Sequence, residues 1–321
     1  MQKVGQSVAH RSSRAGSFPR FSIVYFDYLI TIDNITIDTN RDGIDVDASR
    51  NVRISNVSVN WPWDDAIVLK ASYGLGLFRD TTNVTITNSF VSGYDMGTLL
   101  DGTFQRSKPG APDRGGPTGR IKLGTVSSGG FKNITISNCV SMRDVTNSPL
   151  FLRLGRRMRS PEGTPIGRLR RVNISDVVVY NADPRYASLI TGIPGHDIED
   201  VKLNSIRILY QGGGARELAA VVPAESEIEY PEPYRFGDMP AYRFFVRHVN
   251  GIELNNVEIG YLKEDLPPAF LLTGVTHADF NNVKAQHAAS VPASVLKDVT
   301  DYAGWHVRDN TRIENAKDKS L

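Results

Sequence analysis

Three aspartates carry the chemistry in this chain. Asp42 lies in Asn40-Arg41-Asp42-Gly43-Ile44-Asp45, and the other two lie in Trp61-Pro62-Trp63-Asp64-Asp65-Ala66-Ile67-Val68-Leu69-Lys70. Asp42 and Asp64 are 22 residues apart. That is about one turn of a parallel β-helix, in which equivalent positions on successive turns stack roughly 5 Å apart. Carboxylates crowded in this way push each other's pKa values apart, so one keeps a proton to donate while another stays ionised as a base. This division of labour is the chemistry of glycosidic bond hydrolysis. Asp64 and Asp65, adjacent on one strand, would point to opposite faces, so a local distortion is expected between them.

The elements that must position them are legible along the whole chain. The pattern Asn (or Asp)-apolar-x-apolar recurs at Asn34, Asn51, Asn83, Asn133, Asp200 and, with Gly in the first place, Gly251. Many copies are followed by a second one, as in Asn56-Val57-Ser58-Val59 and Asn256-Val257-Glu258-Ile259. Period-two Val, Ile and Thr mark short strands, and the Asn residues mark bends between them. Sustained helical periodicity is missing. The expected fold is all-β, a right-handed parallel β-helix over residues 30–290, with insertions near 92–119 and 211–242. Residues 1–29 read as an irregular segment or makeshift cap, without which the first coil would be bare or the chain a shortened one; residues 291–321 read as a C-terminal cap or tail. Several repeat Asn residues stand in Asn-x-Ser/Thr, but their phase with the strands favours turn ladders over glycosylation.

Composition bounds the function. The chain has 321 residues and a formal net charge of +2, with Lys and Arg scattered, which gives no case for a nucleic-acid partner. No apolar run of membrane-spanning length is present, nor the apolar core of an export signal. Cys139, the one cysteine, reads as a small core residue. The widely separated His196, His248, His277, His287 and His306 lack metal-ligand spacing, so no metal or cofactor is expected.

The motifs now quoted resemble glycoside hydrolase family 28, the polygalacturonase-like enzymes that cleave pectin. The family's Asn-Thr-Asp-Gly-x-Asp is matched by Asn40, Asp42, Gly43 and Asp45, with Arg41 for Thr. Its Asp-Asp-Cys-x-x-x-Lys is matched by Asp64, Asp65 and Lys70, with Ala66 for Cys. The resemblance implies an inverting hydrolase in which Asp64 is the general acid while Asp42 and Asp65 activate water. It also implies an anionic pectic carbohydrate substrate and an extracellular or periplasmic location. The family's Gly-His-Gly is absent, the corresponding stretch being Thr118 to Thr125. Its Arg-Ile-Lys is spelled by Arg120-Ile121-Lys122 one strand early, and Leu152-Arg153-Leu154-Gly155 is the better positional match. Rearranged carboxylate-gripping residues favour a subfamily acting on another pectic unit, such as an exo-acting galacturonidase or a rhamnogalacturonan-directed hydrolase.

Asn40, Asp45, Lys70, Arg120, Lys122, Arg153 and His248 are therefore the expected substrate contacts. Asp45 and Asp47 also fit a solvent-face ladder, and Lys70 an ordinary exposed charge. Arg156, Arg157 and Arg159 read as a solvated loop. The two insertions read as walls of a cleft, the second carrying Glu225, Glu227, Glu229, Tyr230, Tyr234 and Phe236. Two other classes stay open: a decayed, sugar-binding relative without activity, and a polysaccharide lyase, which needs several oxygen ligands for Ca²⁺ and a basic proton abstractor. The oligomeric state is open.

Overall fold

The computed structural model describes residues 22–24, 29–38, 42–60, 65–73, 76, 78–105, 121–124, 129–142, 147–157, 160–305 and 311–321. Short strands of alternating pattern stack as parallel pairs from coil to coil, and a parallel sheet of 12 strands curls 314° round one axis. The chain is the β-solenoid that its repeat requires. Each coil contributes to three faces.

The first face shows why these residues form strands in this register. Ile54, Ile86, Ile136, Ile174, Leu203, Leu254 and Phe280 stand opposite one another on successive coils, and all point inward. Between them, polar residues such as Thr85, Thr135, Asn173 and Lys202 point outward. Full burial of each such Ile or Leu contributes about 1.5–3 kcal/mol. On the second face Cys139 sits between Ser89 and Val177 in an inward column, as a small core residue should. The third face has the inward column Val46, Leu69, Leu123, Leu152, Ile190, Val246, Leu272 and Leu296.

Bends between faces are made by asparagine. Asn51, Asn83 and Asn133 adopt φ of 55°, 55° and 58°, a left-handed conformation that Asn tolerates better than most residues. Their amides form a ladder, Asn83 donating to Asn51 at 2.9 Å and Asn133 to Asn83 at 2.7 Å. Arg171 caps it by donating to Asn133 at 2.6 Å. The Asn residues thus serve as turn ladders, as their phase suggested.

The coils run further than the repeat suggested. Ser22–Val24, inside the segment expected to be irregular, is a strand paired with Ile44–Asp47. Ser294–Trp305, expected in the tail, is a parallel coil, and Thr311–Ser320 closes the sheet by antiparallel pairing with it. That last strand carries Lys317, Asp318 and Lys319, charges that discourage edge-to-edge association. Among the described residues the helical segments are two short 3-10 turns, Arg216–Ala220 and Pro233–Phe236, both in the second insertion. No helix there is long and apolar enough to cross a membrane.

Candidate functional site

The site grows from a one-residue change of coil length. Ile30 pairs with Val52 and Thr36 with Ser58, 22 residues apart, whereas Ile44 pairs with Ile67, 23 apart. One extra residue has entered the bend before Ile67. The amide of Gly43 donates to Asp65 O at 3.0 Å and that of Ile44 to Ala66 O at 2.8 Å, which continues the register so that Asp65, and not Asp64, stands opposite Asp42. This corrects the 22-residue stacking of Asp42 on Asp64. Asn40, Asp64 and Arg120 lie outside the described residues. Gly43 is required at this approach, because a Cβ there would lie 2.3 Å from a Val59 methyl carbon and 2.5 Å from Ala66 O.

Lys70 binds two of the carboxylates, with Nζ 2.7 Å from Asp42 Oδ2 and 2.6 Å from Asp45 Oδ2. It is therefore not the ordinary exposed charge that its place at a strand end allowed. Burial pushes the Asp45 carboxyl up to about 6 against the opposing charge of Lys70. Burial alone would lower the Lys70 ammonium, but the charges of Asp42 and Asp45 hold it above its ordinary range. Asp47, which the ladder reading joined to Asp45, instead accepts from the amide of Ser72 at 2.7 Å.

Lys122 makes a second cluster one coil on. Its Nζ lies 2.9 Å from Asp65 Oδ2 and 2.6 Å from Glu232 Oε1, with all three side chains 2% exposed. The rings of Tyr230 and Phe151 lie 5.3 and 5.5 Å from the same nitrogen. Carboxylates, ammonium groups and a tyrosine thus converge across adjacent coils. Lys122 belongs to the acidic group as expected, but as an internal counter-ion, which corrects its assignment as a grip for substrate.

Beyond Lys122 the outer side of the third face is roofed by the second insertion. Phe151, Leu189, Phe245 and Leu271 line up on successive coils, and Phe236, Met239 and Ala241 of the insertion pack on them. Buried arginines hold this arm by its carbonyls. Arg153 donates to Glu225 O at 3.1 Å and Ser226 O at 2.7 Å, and Arg247 donates to Pro223 O and Ala224 O, both at 2.8 Å. Burial and the neighbouring charge of Arg247 push Arg153 down to about 10. His248 lies 3.2 Å from both Glu225 carboxylate oxygens. Arg153 and His248, expected as substrate contacts, are thus engaged with the arm, through its carbonyls and Glu225.

The other wall starts beside the first cluster. Asp38, four residues before Asp42, accepts from the amides of Gly97 and Leu99 at 2.9 and 3.1 Å, and Tyr94 packs on Phe104 at 5.3 Å. The acidic group therefore lies between a loop at 93–105 and the arm. A cavity of about 1180 Å³ lies elsewhere, its lining including Ile259, Phe270, Phe280, Tyr302 and Leu321. It marks the end of the stack, where the second face stops at Lys284–Ala285. We take the acidic group as the candidate site because carboxylates, ammonium groups and aromatic rings converge there. Among the described residues no group of three or more His, Cys, Asp or Glu side chains is placed to hold a metal ion.

Sequence reasoning missed Glu232 and Arg247. Glu232 had a local signal, since prolines on both sides in Tyr230-Pro231-Glu232-Pro233 fix its backbone. Arg247 had none beyond its place before His248. Comparison of the chain with protein-family models, with curated proteins and with solved structures finds no match.

Proposed function

We propose that the chain is an inverting glycoside hydrolase acting on pectic chains, which it takes at an end. What carries this reading is the in-register stacking of Asp42 and Asp65 on adjacent coils, with Asp64 next in sequence, at the place where the arm ends an otherwise continuous face. A substrate strand lying along the third face meets Pro231, Glu232 and Tyr230 directly beyond the acidic group, because Pro231 side-chain atoms lie 3.2–3.3 Å from where a Cβ on Gly124 would sit. A closed end of this kind suits a chain terminus. Asp64 is the proton donor in this mechanism and Asp42 with Asp65 orients water on the opposite face of the sugar, the arrangement inversion requires.

A second reading, a sugar-binding solenoid without activity, draws on one observation: Asp65 is 1% exposed and held by Lys122. Release of reducing sugar from pectic oligomers, with the product anomer followed by NMR, separates the two. For Asp64→Asn we expect a loss on the order of 10²–10⁴-fold on glycosides with poor leaving groups. The loss should be much smaller on aryl glycosides, whose leaving group needs little protonation. Equal losses on both, or retention of configuration, would overturn the assignment, and wild-type protein that binds oligomers without cleaving them would establish the second reading.

A further inference from the structure

Three carboxylates of the arm meet cations of the face, and they are not alike. Glu225 lies 3.3 Å from Arg247 and 3.2 Å from His248. Glu227 lies 3.4 Å from Arg156, whose amide also donates to Glu227 O at 2.7 Å. These two side chains are 37% and 27% exposed. Glu232 is 2% exposed, and its partner Lys122 is shared with Asp65. Of the three, Glu232 is the one that joins the arm to a carboxylate of the acidic group.

Its place is fixed from both sides. Pro231 and Pro233 restrict the backbone on either hand. The Glu232 amide donates to Tyr230 O at 2.8 Å and its carbonyl accepts from the Arg235 amide at 3.1 Å, while Phe236 packs on the apolar column. Lys122 ends a flexible stem, so its ammonium goes where the two carboxylates hold it, 2.6 Å from Glu232 Oε1 and 2.9 Å from Asp65 Oδ2. A buried ammonium given wholly to Asp65 would settle that carboxylate in an ion pair and make it a poor acceptor for a proton. The Glu232 charge works against this, by sharing the ammonium and by repelling a second buried anion. Other charged and titratable groups stand around the pair. Tyr230 lies over Lys122 and has the Arg157 guanidinium 5.0 Å from its ring centroid, and Asp42, Asp45 and Lys70 belong to the neighbouring coils. Asp64 is next to Asp65 in sequence.

We infer that Glu232 is a positioning residue of the candidate site: by holding Lys122 from the arm, it keeps Asp65 basic enough to take the proton of the attacking water. This rests on reading the site as that of an inverting hydrolase. Water gives its proton to Asp65 as its oxygen bonds the sugar carbon, and Asp64 gives its own to the leaving oxygen. The test compares the wild type with Glu232→Gln, Glu232→Asp and, at the arm's exposed edge, Glu227→Gln. One readout is the Asp65 carboxyl resonance, assigned by its loss in Asp65→Asn and titrated without substrate; the other is the pH profile of hydrolysis. In Glu232→Gln the Asp65 resonance should titrate at lower pH and the acidic limb of kcat should move down with it. The optimal kcat should fall on the order of 10-fold with KM unchanged. Glu232→Asp keeps the charge but withdraws it by one methylene, so both readouts should shift in the same sense and by less. Glu227→Gln should shift neither. An unmoved Asp65 in Glu232→Gln, or an equal shift in Glu227→Gln, would overturn the inference. If the glutamine variant fails to fold, an unmoved Asp65 in Glu232→Asp overturns it. A shifted Asp65 in a chain that cleaves nothing leaves the role of Glu232 standing while the hydrolase reading falls. Cleavage with Asp65 unmoved does the reverse.

Discussion

The outer side of the third face has two ends built from one alternating strand pattern, and they differ in what lies above them. Around Asp42, Asp45 and Lys70 the side chains stay 10–20% exposed. From Phe151 to Leu271 the same positions are apolar and roofed by the arm. Lys122, Tyr230 and Glu232 form the seam between them. The candidate site is therefore defined less by the strands than by where the arm stops. Substitutions at the two ends should then fail differently, the open end in turnover and the roofed end in stability.

The sharpest contrast is at Asp42. Asp42→Asn should lower the hydrolytic rate on the order of 10²–10⁴-fold with little change in thermal midpoint; a large drop in the midpoint with the rate intact would make Asp42 a structural residue. The seam should respond in stability. Lys122→Met leaves Asp65 and Glu232 buried without their cation, a change worth about 3–5 kcal/mol, measurable by chemical denaturation. A near-neutral outcome would mean that the ion pairs merely offset their desolvation. Under the roof, Leu189→Ala should cost about 2–5 kcal/mol and make the arm cleavable by protease between residues 211 and 242, and an arm as resistant as the wild type would show that the apolar contact is not what seats it.

The smallest effect is a titration. Asp45 holds its proton up to about pH 6, above the ordinary carboxyl value of 3.8. The folded chain thus binds that proton more tightly than the unfolded one. The stabilisation is full below about pH 4 and is lost as pH rises through about 6. Lys70→Met removes the charge that opposes the shift, so the Asp45 carboxyl resonance should titrate higher still; a midpoint that falls or stays put would separate Lys70 from Asp45 in solution.

Much of this was legible in the letters. Alternation of Val and Ile with Thr and Asn specifies the coil because inward columns must be apolar on every turn, and the Asn bends announce themselves by a conformation few residues accept. That the two Asp motifs fall on one patch of adjacent coils was legible for the same reason. The pairing within it was not legible: the extra residue before Ile67 shifts the register from Asp64 to Asp65, and nothing in Trp61 to Ala66 spells a 23-residue coil. The fate of the cations was hidden by distance, since Lys122 meets Glu232 across 110 residues. Arg156 and Arg157 have the same letter, and only the arm tells them apart.

The arm also changes how the molecule comes apart. A bare solenoid is a row of coils in which each touches only its neighbours, so it can fray from either end one coil at a time. Here a single excursion of the chain grips Lys122 on one coil, Arg153 on the next, and Arg247 two coils further along. No coil in that stretch can open without tearing contacts made by the others. The middle of the molecule should therefore exchange its amide hydrogens as one cooperative block, flanked by coils at either end that open on their own.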